Sequence, residues 1–146
     1  MKEIAFPQFT VQAPGHWFDV TAELDGDAQH APPPTIAVED GHGALQVSIE
    51  QLPGGKQVQF NTEQLRGMLK EFAQGHQLDS PNNIAAVETP RPQLAANFAW
   101  DGGFLRVWYL TEPDRLAFVT YTCEKGVPFA TELQEVEEIV RSLRFK

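Results

Sequence analysis

Arg115-Leu116-Ala117-Phe118-Val119-Thr120-Tyr121-Thr122-Cys123-Glu124 is a largely apolar run read most simply as a strand. In an extended chain, Leu116 and Phe118 fall on one side and Ala117, Val119, Tyr121 and Cys123 on the other. Neither side is built for water, so the run reads as the central strand of a sheet covered on both faces.

Working outward, Glu112-Pro113-Asp114 and Asp101-Gly102-Gly103 are turn sequences that join residues 93–100, 104–111 and 115–124 as antiparallel neighbours. A further strand is expected over 84–88, after the loop Ser80-Pro81-Asn82-Asn83. Nearer the start, Phe9-Thr10-Val11-Gln12 alternates as a short strand stopped by Pro14-Gly15, and 17–24 continues extended until Asp25-Gly26. Residues 35–39 and 44–51 flank Asp40-Gly41-His42-Gly43, a glycine-rich hairpin turn. In the second of these, Leu45, Val47 and Ile49 face one way, and Gln46, Ser48 and Glu50 the other. The prolines within 28–34 and the Pro53-Gly54-Gly55 triplet mark loops.

Two segments change to helical spacing. Asn61 or Thr62 caps the first, whose apolar residues are Leu65, Met68, Leu69, Phe72 and Ala73, with Gly75 placed to stop it. The second carries Pro128 in its first turn and the stripe Leu133, Val136, Ile139, Val140 and Leu143. Its acids Glu132, Glu135, Glu137 and Glu138 precede Arg141 and Arg144, an order that suits the helix dipole. The expected architecture is α+β: one domain over 1–146, with an antiparallel sheet of six to seven strands and two main helices packed on it.

Composition agrees with a packed core, for 42% of residues are hydrophobic and 21% charged. Net charge is −9, of which residues 1–60 contribute −6, with eight acids against two bases. Clustered Lys and Arg are lacking, which disfavours nucleic acid and anionic membranes as partners and is compatible with a basic protein partner. A single cysteine, Cys123, allows no internal disulfide, and the first residues lack the apolar core of a signal peptide. A reducing cytoplasm is the expected location.

Chemical motifs are sparse. His16, His30, His42 and His76 lie far apart with no second His or Cys at ligand spacing, so no metal is expected. Glu23, Asp25 and Asp27 resemble part of a calcium loop, but Gln29, His30 and prolines stand where later ligands belong. Cys123 sits near the end of an apolar strand and reads as a buried structural thiol. Ser48, Ser80 and Ser142 lack a nucleophile elbow, and the glycine pairs do not open directly into a helix as a phosphate loop must. No cofactor is expected. The aromatic residues Trp17, Trp100, Trp108 and Tyr109 are the candidate partner-binding residues, since a face of strand 104–111 left uncovered would be an apolar patch.

Pro14-Gly15-His16-Trp17, then Gly43-Ala44-Leu45-Gln46-Val47-Ser48, then a final helix running into Ser142-Leu143-Arg144-Phe145, resembles the PsbP/Mog1-like superfamily in order and spacing. The resemblance implies a layered domain around an antiparallel sheet, used in relatives mostly for binding, including a photosystem subunit, a Ran-binding import factor and bacterial secretion-system chaperones. It transfers no functional residue, because the matching positions read as structural: the tryptophan plugs a sheet end and the final Leu-Arg-Phe pins the last helix. The expected function is a non-catalytic protein-binding module, an adaptor, chaperone or immunity-type protein, monomeric or homodimeric. The alternative is a small enzyme or ligand-binding protein whose site is assembled from scattered residues such as His16, Asp19, Glu39 and His42.

Overall fold

The computed structural model describes residues 1–24, 32–39, 41–51, 60–88, 90–100, 102–124 and 130–146. In chain order the strands are β1 (Lys2–Ala5), β2 (Phe9–Ala13), β3 (Trp17–Asp19), β4 (Thr35–Val38) and β5 (Gly43–Gln51), followed by helix α1 (Thr62–Gly75). Then come β6 (Asn82–Val87), β7 (Gln93–Trp100), β8 (Gly103–Glu112) and β9 (Arg115–Glu124), helix α2 (Ala130–Arg141) and β10 (Arg144–Phe145).

The expected sheet is present with seven strands in the order β3-β4-β5-β9-β8-β7-β6. All its pairs are antiparallel. As its two-sided apolar pattern requires, β9 lies at the centre, paired with β5 on one side and β8 on the other. A second sheet of three strands, β1-β2-β10, was not expected. Its outer strands are four and two residues long, too short to display an alternation that sequence could register.

Each face of the large sheet has its own cover. On one, Leu65, Leu69 and Ala73 of α1 meet Leu94, Ala96 and Phe98 of β7 and Leu105, Val107 and Tyr109 of β8 in one apolar cluster. On the other, Val136, Ile139 and Val140 of α2 join Phe9 and Val11 of β2 over Leu45, Val47, Val119 and Tyr121. The parity rule therefore assigns β9 to both cores at once. Trp17, fully buried, fills the second core at the β3 end, as expected of a ring that follows a proline-glycine corner.

Polar groups fix the ends. Asn61 accepts from the Gln64 N–H while the Gln64 side chain accepts from the Asn61 N–H, a complete capping box at the start of α1. The chain leaves α1 two residues after Gly75: Gln77 takes φ +56° and the Leu78 N–H reaches back to the Ala73 carbonyl. Segment 17–24 is strand only to Asp19, because its carboxylate accepts from the Thr21 N–H and winds Thr21–Glu23 into a 3₁₀ turn. At the far end, Ser142 Oγ accepts from Gln12 N–H at 2.8 Å and donates back to backbone carbonyls. Phe145 then pairs with Phe9 as β10, so the final Leu-Arg-Phe pins α2 through strand pairing. Pro128, the 53–55 loop and most of the acidic 23–27 segment lie outside the described residues.

Two glycines carry opposite expectations. At Gly43 a Cβ would be driven into the Thr122 carbonyl and to 2.8 Å from the Tyr121 ring, so Gly43→Ala is expected to lower the unfolding free energy by about 1–3 kcal/mol. Gly67, inside α1, has nothing within 4 Å of such an atom, and Gly67→Ala is expected to raise stability by about 0.5–1 kcal/mol. Urea unfolding of the two variants beside the parent checks both signs.

Candidate functional site

Cover runs out toward β6. Strand β8 is buried along nearly its whole length on both faces, so neither face is left uncovered: α1 takes the side of Leu105, Val107 and Tyr109, and α2 with its neighbours takes the side of Phe104, Trp108 and Leu110. One strand beyond, β7 is still largely buried, whereas all six residues of β6 are exposed. Ile84 and Val87 are 42% and 44% exposed, two large apolar side chains within four residues of one edge strand. Among the described residues nothing pairs with the outer edge of β6.

A groove runs along each face beside this edge. On the α2 side, a cavity of about 250 Å³ lies between Ala85 and Val87 of β6, Trp108 and Leu110 of β8, and Val140 and Arg141 of α2. On the α1 side, a cavity of about 340 Å³ is bordered by Ile84, Leu69, Ala73 and Leu78, with Arg66 and Lys70 at its rim.

Arg106 is the buried cation of the first groove. It projects from β8 with 8% exposure, donates Nε to Glu137 of α2 and Nη1 to Asn97 Oδ1 at 2.7 Å, and lies 5.2 Å from the centre of the Trp108 ring. A guanidinium so deep needs paired acceptors to offset desolvation, and Glu137 and Asn97 supply them. Sequence reasoning passed over Arg106; the available signal was a lone charge within a strand otherwise apolar on both sides.

A second polar cluster is structural in its contacts. Buried Glu132 of α2 accepts from the backbone N–H groups of His42 and Gly43 and from the Tyr121 hydroxyl at 2.9 Å. This ties the start of α2 to the β5 end and to β9. Burial first, then the Glu132 carboxylate, pushes the Tyr121 hydroxyl far above its ordinary range, and burial likewise raises the Cys123 thiol. A thiol held protonated is a poor nucleophile.

The residues singled out from sequence are divided. Trp17, Trp108 and Tyr109 are interior at 0%, 4% and 5% exposure, while Trp100 is 43% exposed and lays its ring over Gly103. Trp108 still borders the α2-side groove. His16 pairs with Glu135 at 2.7 Å, Asp19 serves its own turn, and the His42 backbone serves Glu132. No group of three or more His, Cys, Asp or Glu suited to a metal occurs among the described residues. No helix of the described residues is long and apolar enough to cross a membrane.

Two measurements follow from this chemistry. Glu137→Leu, which leaves the buried guanidinium of Arg106 with Asn97 as its main remaining acceptor, is expected to cost about 2–4 kcal/mol of stability, Arg106→Met somewhat less because the carboxylate it leaves behind is partly exposed, and the two changes together less than their costs added. A double-mutant cycle in urea reads that coupling. Burial, with Glu71 adding, raises the Tyr109 hydroxyl to about 12 from 10.0. Both folded and unfolded chains keep this proton below pH 10, so stability is flat there with respect to Tyr109. Between pH 10 and about 12 the unfolded chain loses the proton first, and stability falls by up to about 1.4 kcal/mol per pH unit. Tyr109→Phe is expected to flatten that decline in alkaline unfolding curves, leaving the share of Tyr121.

No protein-family model matches the sequence, and no curated protein matches it. Solved structures do match. The solution structure of the cyanobacterial PsbP (CyanoP) of Synechocystis sp. PCC 6803 superposes with a TM-score of 0.63 at 12% identity, covering 99% of this chain and 92% of that one. The Ran-binding protein Mog1p of Saccharomyces cerevisiae gives 0.64 at 10% identity, covering 98% and 94%. A structure from Bacteroides thetaiotaomicron gives 0.60 at 14% identity over 94% of this chain but 45% of its own. Identities this low speak for architecture, and the near-complete coverage in both directions, with the two helices and antiparallel sheet described above, establishes that this chain has the PsbP/Mog1-like α+β fold.

Proposed function

We propose that the chain is a non-catalytic protein-binding module, an adaptor, chaperone or immunity-type protein, that takes its partner at the β6 side of the sheet. The observation that carries this reading is the fully exposed edge strand with Ile84 and Val87 outward, flanked by a groove on each face. Exposed apolar side chains beside clefts, at an edge that no described strand pairs with, are the ingredients of a docking surface. The similarity to a protein described as Ran-binding supports the same reading. On this account residues 1–146 act as one domain in a reducing cytoplasm, where Cys123 stays a buried thiol.

The chemistry of the polar side chains favours binding over catalysis. Nucleophile candidates are unsuited: Cys123 is buried with its thiol held protonated, and Ser142 Oγ is committed to backbone groups. Glu132, which could serve as a buried acid or base, is already satisfied by three donors from the protein itself.

Affinity capture from native lysate tests the reading, using the tagged parent beside an Ile84→Lys/Val87→Lys variant. Both positions are exposed, so the variant is expected to fold as the parent does. One stoichiometric protein retained by the parent and lost by the variant is the expected result. Equal retention by both places the partner elsewhere on the molecule, and no retained protein with the parent contradicts the binding-module reading.

A further inference from the structure

The two grooves at β6 differ in charge from the chain that surrounds them. They hold Arg66, Lys70, Arg106 and Arg141, four of the eleven Lys and Arg in the sequence, but only Asp79 and Glu137 of its twenty Asp and Glu. Glu137 and Arg106 are engaged with each other, which leaves Arg66, Lys70 and Arg141 against Asp79. The nearby acid Glu88 accepts from Thr62 Oγ1, and Glu112 lies 3.7 Å from Arg91. A chain with net charge −9 thus presents a locally basic edge.

Geometry adds a pattern to the charge. Ala85 and Val87 border the α2-side groove and Ile84 the α1-side groove, so successive β6 residues address opposite faces. The pairing of Ala85, Ala86 and Val87 with β7 is regular, while a register shift and the left-handed Asn83 (φ +49°) interrupt the strand before it. A strand laid beside Ala85–Val87, about 4.8 Å out, would send its side chains alternately toward the two grooves.

We propose that this edge accepts an extended, acidic segment of a partner protein as an added strand, with carboxylates directed to the exposed Arg141 and alternate apolar side chains directed to Leu69, Ala73, Leu78 and Ile84. The inference rests on the binding-module reading and specifies its partner. Main-chain hydrogen bonds to the free edge give such a complex its affinity, and the alternating side chains give its selectivity. Net charge alone points to a basic partner; the local excess of cations at the docking edge reverses that sign. A second copy of this chain is a poor occupant, because β6 (Asn82–Val87) contains no acid and pairing two such edges would bring like-charged groove walls together.

The test uses end-blocked peptides of about eight residues, one alternating Glu and Val, one alternating Lys and Val, and two Glu/Val peptides N-methylated at every second residue, one in each register. Amide hydrogen exchange and chemical shifts of the full chain are followed during titration. The Glu/Val peptide is expected to slow exchange at residues 84–87 and to bind about tenfold more weakly to an Arg141→Glu variant. Arg141 is exposed, and the variant's melting curve controls for folding. The Lys/Val peptide is expected not to bind, and N-methylation in the pairing register to abolish binding. The inference is overturned if the Lys/Val peptide binds as well, if neither N-methylated register weakens binding, or if no peptide protects β6. A partner captured from lysate whose footprint lies away from β6 overturns it too while leaving the binding-module reading intact; absence of any captured partner removes both.

Discussion

A sheet of seven strands has two apolar faces, and this chain covers each with one helix, aided on the second face by a small extra sheet. Everything else follows from where that cover lies. Strands β8 and β9 are closed on both faces and can be apolar almost throughout, whereas β6 must survive in water on both sides. Its small alanines and the register shift ahead of them suit an edge that must resist indiscriminate pairing, yet Ile84 and Val87 remain outward.

The placement of α2 is set as much by polar contacts as by its apolar stripe. Glu132 binds its first turn to the N–H groups of His42 and Gly43 and to Tyr121; Glu137 binds its middle to Arg106; Ser142 binds its end to β2. Apolar burial is non-directional, so these three contacts decide the angle and register at which the stripe meets the sheet. They also decide what stays open. With α2 anchored toward β5, β9 and β2, the sheet beyond β8 is left with a groove whose depth contains a cation.

Sequence periodicity made the centre of this fold legible. The double-sided apolar pattern of β9, the turns on either side of β8, and the stripes and capping residues of the helices all follow from local rules that the packing reinforces. The second sheet was hidden because a two-residue strand such as β10 exists only through its partner, Phe145 on Phe9. The site was hidden for a related reason. Ile84-Ala85-Ala86-Val87 does not reveal whether either face is covered, and the depth of Arg106 depends on Asn97 and Glu137, nine and thirty-one residues away. Aromatic content drew attention instead to Trp17, Trp108 and Tyr109, which serve the interior.

An edge that is free in solution should exchange its amide protons through small local openings, while the doubly covered centre exchanges only on global unfolding. Native-state hydrogen exchange on the unliganded chain measures this residue by residue. The account predicts opening free energies near the global value for β8 and β9 and far smaller ones for Ala85–Val87. Protection of β6 equal to that of β9 would mean that its outer edge is already occupied, and would contradict the claim that the sheet ends there in an open binding surface.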